Sequence, residues 1–177
     1  RYVQSRVHDF AWAADPDFVE VTKTFSGSRD VPEAETRYWA KILRCQPQEL
    51  RLPDVTMILL MSPDHRDQIP LHLRALKEAI RGFGLMLGSY PYETITLIDP
   101  PDGAAASSGM EYPTFFTGGT FAYIKYWPLT QIHLETVVTH EYGHNYWYGM
   151  VGSNEFEEPR LDEGLNSFSE SVVIHSL

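Results

Sequence analysis

A single cysteine, Cys45, stands in a chain of 177 residues, so no intrachain disulfide can form and cysteine usage says nothing of the redox compartment. We read it as a free thiol. Long apolar runs are missing too. The longest, near Met57 to Met61, falls far short of the ~20 residues a bilayer helix needs, and no signal-peptide pattern opens the chain. Positive charge is scarce: 14 Lys and Arg against 24 Asp and Glu give a formal net charge of −10. That balance argues against nucleic acid or an anionic membrane surface as a partner. There are no internal repeats, biased tracts or linkers. There is also no initiating Met. The chain begins at Arg1 in strand-like sequence and reads as a piece of a longer protein. Targeting information at either end would be lost with the missing parts, so no localisation is assigned. What the chain does have, 43% hydrophobic and 21% charged residues, suits one folded domain with a sizeable core.

Periodicity outlines the elements. Val3 to Trp12 and Phe18 to Phe25 are rich in β-branched and aromatic residues around an Ala14-Asp15-Pro16-Asp17 turn, which predicts a hairpin or two edge strands. A short helix is expected over Glu33 to Leu43 and a buried strand over Asp54 to Met61. Ile69, Leu73, Leu76, Ile80, Phe83 and Leu87 recur at spacings of four and three, the signature of an amphipathic helix that Gly88 and Pro91 end. Thr94 to Ile98 and Phe121 to Tyr126 read as strands. Leu129 to Gly149 reads as a helix with Thr130 as its cap, Gly152 to Pro159 as an acidic loop, and Leu161 onward as a further helix. No regular βαβ repeat exists, which favours α+β: a strand-rich part with one long helix over 1–127, then helices over 128–177.

Those last helices carry the chemistry. His140-Glu141-Tyr142-Gly143-His144 puts two histidines one turn apart on one helix face, as two ligands of one ion require. Glu141, beside the first, can take a proton from water without being a ligand. The bland alternative is a pair of polar core histidines. The downstream residues count against it. Separated from His144 by eighteen residues, Glu163 opens a second helix, where its carboxylate can complete a two-His, one-Glu zinc site with a position left for water. Two turns further, Glu170 can accept the remaining ring N–H of a ligand histidine; an ordinary surface carboxylate is the alternative. The other histidines, His8, His65, His72, His133 and His175, lack ligand spacing and read as surface or partly buried residues. Tyr123, Tyr126, Trp127, Tyr146, Trp147 and Tyr148 read as packing residues before pocket residues.

His-Glu-x-x-His followed at this interval by Glu resembles the aminopeptidase N and leukotriene hydrolase family of zinc metallopeptidases. Gly109-Met110-Glu111-Tyr112, about thirty residues upstream, resembles that family's Gly-x-Met-Glu-Asn motif, with Ser108 where the first Gly would stand. The resemblance implies a thermolysin-like zincin catalytic domain and one zinc ion on His140, His144 and Glu163, with Glu141 as catalytic base. It also implies that Glu111 pairs with the free α-ammonium of a peptide substrate while the backbone at Gly109 and Met110 lies along it. The departures, Tyr112 for Asn, Asn145-Tyr146-Trp147 for Gln-Trp and Arg160 for Trp, bear on the substrate pocket rather than the ion. Leu177 comes only fourteen residues after Glu163, short of the family's transition-state tyrosine, and the family's N-terminal β and C-terminal helical domains are absent. Little activity is therefore expected of this piece alone. A non-catalytic binding scaffold and a thermolysin-like endopeptidase are the competing readings. The ligand set argues against the first and Glu111 against the second.

Overall fold

The computed structural model describes residues 3–101, 104, 109–119 and 128–176. Strands β1 (Val19–Phe25), β2 (Val55–Met61), β3 (Thr94–Ile98), β4 (Gly109–Tyr112) and β5 (Phe115–Gly118) form one mixed sheet in the order β1-β2-β3-β5-β4. Helices α1 (Glu33–Leu43), α2 (Ile69–Leu87), α3 (Pro128–Gly143) and α4 (Leu165–Ser176) accompany it. None of the described helices is long and apolar enough to cross a membrane.

The sheet follows from its apolar alternation. Along β2, Val55, Met57, Leu59 and Met61 are buried on one face. In parallel register Met57 stands beside Ile95 and Leu59 beside Leu97, both partners fully buried. A parallel pair needs a crossover, and α2 supplies it. Pro70 opens that helix, where a missing N–H costs nothing, and Gly88 ends it at φ 116°. Of the stripe expected on α2, Leu76, Ile80 and Phe83 are buried, whereas Leu87 at the end is 40% exposed.

Several expectations are corrected. Residues 3–17 form no strand: Val3, Phe10 and Trp12 stay 73%, 64% and 75% exposed. Strand-forming composition becomes a strand only where a neighbouring edge receives it, and of the two expected strands it is the second, β1, that pairs, along the edge of β2. The expected strand over Phe121 to Tyr126 lies outside the described residues. Helix α3 starts at Pro128, so Thr130 is inside the helix and not its cap. His65 and His72 are buried, 4% and 0% exposed, rather than at the surface; His65 Nδ1 lies 2.6 Å from Asp99 Oδ2, and His72 Nδ1 lies 3.0 Å from the Gln68 carbonyl.

Helix α3 is seated by aromatic packing and one glycine. Phe83 of α2 packs against Tyr142 at 5.9 Å and stacks with Tyr146 at 5.5 Å, and Tyr90 adds a ring 5.5 Å from Tyr142. Between these tyrosines, Gly143 faces Phe83 and Asn166 so closely that a Cβ there would sit 2.5 Å from Phe83 Cζ and closer still to Asn166 Oδ1. Gly82 of α2 similarly leaves room for Val173 of α4. The three helices therefore meet at hydrogen-sized contacts. Gly143→Ala should lower the unfolding free energy by about 1–3 kcal/mol, the usual cost of overpacking, despite alanine's better helix propensity. Urea denaturation checks it; an unchanged midpoint would mean that the helices separate freely.

Candidate metal centre

One turn apart, His140 on α3 and His144 just past its end meet edge-on and bring their Nε2 atoms to 3.2 Å from each other. Glu163 reaches the same point from a π-helical turn, Arg160–Gly164, that leads into α4. Its Oε2 is 3.2 Å from His140 Nε2 and 3.8 Å from His144 Nε2. Nitrogen and oxygen ligands about 2.0–2.1 Å from a tetrahedral ion are themselves about 3.3 Å apart, so the spacing fits one ion.

The hydrogen bonds behind the rings strengthen the fit. His140 Nδ1 lies 2.9 Å from Glu170 Oε2, as the sequence suggested, and His144 Nδ1 lies 2.6 Å from Asp162 Oδ1. Carboxylates accept, so each Nδ1 donates, and in its neutral form each ring turns a lone pair on Nε2 towards the other and towards Glu163. A proton or a metal cation among these atoms relieves the repulsion of the lone pairs. An imidazole and carboxylate set of this kind suits zinc. Pi turns recur at functional sites, and this one lets the adjacent Asp162 and Glu163 both serve the site, one behind a ring and one in front.

Glu141 is 7% exposed, and its Oε2 has no hydrogen-bond partner among the described residues. It sits against the start of β4: a Cβ on Gly109 would lie 2.5 Å from Glu141 Oε1. Gly109 thus makes room for a carboxylate, a reason the sequence did not reveal. Glu111, two residues on and so on the same face of the strand, brings an oxygen within 4.8 Å of ligand atoms of Glu141 and His144. Met110 between them faces the other way and is 41% exposed. Among the described residues, strand β4 is the sheet's last and is bonded to β5 alone. Asn145 fixes this edge relative to α3, accepting from Thr114 N–H at 3.2 Å through Oδ1 and donating to the Tyr142 carbonyl at 2.9 Å through Nδ2. Asn166 donates to the His140 carbonyl at 2.7 Å. Asp162, Asn145 and Asn166 were not picked out as site residues. The available signal for Asp162 and Asn145 was their adjacency to Glu163 and His144; Asn166 had none.

The charges press on one another. Burial, then Glu111, Glu163 and Asp162, push Glu141 up to about 8 despite the opposing pull of His140. Burial also raises Glu111 and, with Glu163 and Glu155, lifts Asp162 to about 6. The Glu170 hydrogen bond leads in raising His140 to about 8, and burial lowers His144. A cluster of carboxylates that resists ionisation is one that a cation would relieve.

No protein-family model matches this chain, and no curated protein matches its sequence. Among solved structures, its fold is similar to the crystal structure of Legionella pneumophila aminopeptidase A in complex with aspartic acid, with a TM-score of 0.61 over 70% of this chain at 18% identity. The match spans 15% of that protein's chain. The likeness is one of fold, a mixed α and β architecture, and the grouping of His140, His144 and Glu163 is compatible with a metal.

Two outcomes follow from the geometry. Asp162→Ala should weaken zinc binding about 10- to 100-fold, read by competition with a chromophoric chelator; unchanged affinity would mean that Asp162 does not orient His144. Asp162, Glu141 and His140 hold protons more tightly folded than unfolded. Each therefore costs the metal-free chain stability as pH rises between its ordinary and raised values: from 3.8 to about 6, 4.5 to about 8, and 6.5 to about 8. His144 acts in the opposite sense near 6.5. The chelator-treated chain should melt at a higher temperature at pH 6 than at pH 8, and added zinc should raise the melting temperature more at pH 8. Equal zinc shifts at both pH values would contradict this reading.

Proposed function

We propose that this chain carries the active site of a zinc-dependent aminopeptidase, a hydrolase that releases the first residue of a peptide. The observation behind this reading is the convergence of His140, His144 and Glu163 on one point, each ring backed by a carboxylate, with Glu141 and Glu111 alongside. A zinc ion there would supply Lewis acidity, polarising the scissile carbonyl and easing deprotonation of water near neutral pH.

The chain's own residues do the rest. Glu141 accepts a proton from the attacking water as its oxygen bonds to the carbonyl carbon, then delivers that proton to the departing nitrogen as the C–N bond breaks. Its unpartnered Oε2 is open to receive that proton, and a cation at the site would draw its raised pKa down so that it stands as a carboxylate near neutral pH. Glu170 and Asp162 keep the rings in the required tautomer. Glu111 receives the α-ammonium of the substrate, which limits hydrolysis to the first peptide bond. The free side of β4 offers backbone groups along which an extended peptide can align. The fold shared with an aminopeptidase supports the peptidase class, and the Gly109-Met110-Glu111 segment supports exopeptidase action.

Glu141→Gln should abolish hydrolysis of a fluorogenic leucyl amide, whatever its starting level, by at least about 100-fold, while metal analysis still finds one zinc per chain. Loss of zinc instead would make Glu141 a ligand and not a base. Glu111→Gln should raise KM for free peptides. Equal cleavage of free and N-acetylated peptides by the unaltered chain would rule out the exopeptidase assignment and leave an endopeptidase.

A further inference from the structure

His140, His144 and Glu163 do not use up the groups here that can hold a cation. A second set, Glu111, Glu141 and His144, brings two carboxylate oxygens and an imidazole nitrogen within 4.8 Å of one another. Glu111 comes from β4 and Glu141 from α3, so the set spans the gap between sheet edge and helix. Ligands of one tetrahedral ion lie about 3.3 Å apart. Closing the set to that spacing is within reach of the half-buried Glu111 side chain.

Two observations separate this set from an ordinary acidic cluster. Glu141 is 7% exposed, yet its Oε2 has no hydrogen-bond partner. A buried oxygen left so costs stability until something pairs with it, and Gly109 closes off the Oε1 side of the same carboxylate. The second observation is the lack of a balancing base. Among the described residues, Lys and Arg pair with Asp30, Glu33, Glu35, Glu135 and Glu158, and none pairs with Glu111, Glu141, Glu155 or Asp162. Glu155 and Asp162 also bring oxygens within 4.8 Å of Glu111. One divalent ion held with Glu163 would leave these carboxylates facing one another.

We propose that a second zinc ion binds between Glu111 and Glu141, beside the first, and that this ion and the α-ammonium of a substrate exclude one another. The proposal deepens the aminopeptidase reading and rests on it. His144 Nε2 lies 3.2 Å from His140 Nε2 and 3.8 Å from Glu163 Oε2, so it serves the first ion. The second ion keeps the two carboxylates and water, and therefore binds more weakly. Sets that share one residue suit the spacing of about 3.5–4 Å between the ions of two-metal sites. In that position the second ion takes the Glu141 oxygen that would accept a proton and the Glu111 charge that would receive an ammonium. Excess zinc is then an inhibitor that competes with the free amino terminus.

Calorimetric titration of the metal-free chain with zinc tests this. The unaltered chain should show a tight event and a weaker one. Glu111→Gln and Glu141→Gln should each keep the tight event, which also certifies their fold, and weaken the other by about tenfold or more, as loss of a charged ligand does. Glu157→Gln, in the acidic loop, should change neither. Isoamylammonium should weaken the second event, and isoamyl alcohol should leave it alone. A single event in the unaltered chain, a weaker event that survives both glutamine substitutions, or one that falls equally in Glu157→Gln would overturn the second ion. Failure of isoamylammonium to compete would overturn the exclusion. Glu163→Gln separates the two readings, because it should abolish the tight event. Persistence of that event would sink the first zinc site, whereas its loss, with the weaker event indifferent to Glu111→Gln, would sink the second ion alone.

Discussion

Everything at the site depends on how closely α3 approaches α2 and α4. Gly143 stands between Tyr142, locked into the aromatic core with Phe83, and His144, turned towards Glu163. One face of the helix is therefore fixed by packing, and its opposite side presents the two rings. Because the helix cannot rotate without breaking the Phe83 stack, the histidines keep their aim before any ion arrives. Preorganisation of this kind is what allows a few polar groups to act with geometric accuracy.

The second half of the site is placed by hydrogen bonds rather than by hydrophobic packing. Asn166 ties the start of α4 to the His140 carbonyl, and Asn145 ties the β4–β5 turn to the end of α3. These two amides join the helices and the sheet edge to one frame. Glu111 belongs to the sheet, Glu141 to α3 and Glu163 to the π turn, so a change in any one junction alters their mutual distances. The acidic groups drawn together by this frame resist ionisation collectively, and the cost of that crowding falls on the folded chain.

Much of this was legible in the sequence, and the limits have physical causes. Helix α2 and strands β2 and β3 follow from apolar periodicity, because their burial pattern is set by regular geometry. His140 and His144, and Glu170 relative to Glu163, follow from helical spacing, whereas Glu163 itself was read from the eighteen-residue interval after His144. Strand β5 was not foreseen, since four residues, Phe115–Gly118, are too few for a period to register. The segment over residues 3–17 had strand composition but no neighbour to pair with. Asp162 carried no site role in the sequence, because nothing in a sequence announces a π turn, and that turn directs Asp162 at His144. Gly109 was matched by motif, whereas its contact with Glu141 belongs to three-dimensional packing alone.

The interval between His144 and Glu163 has another meaning. With one cysteine, the chain has no covalent cross-link of its own. An ion gripped at both ends of that eighteen-residue stretch would act as a removable cross-link of the folded chain, stabilising it by mass action to a degree set by the supply of free ion. The acidic loop between the two ligands would then be ordered or released according to metal supply. The same ion that equips the site for chemistry would set how readily this part of the chain opens to proteolysis.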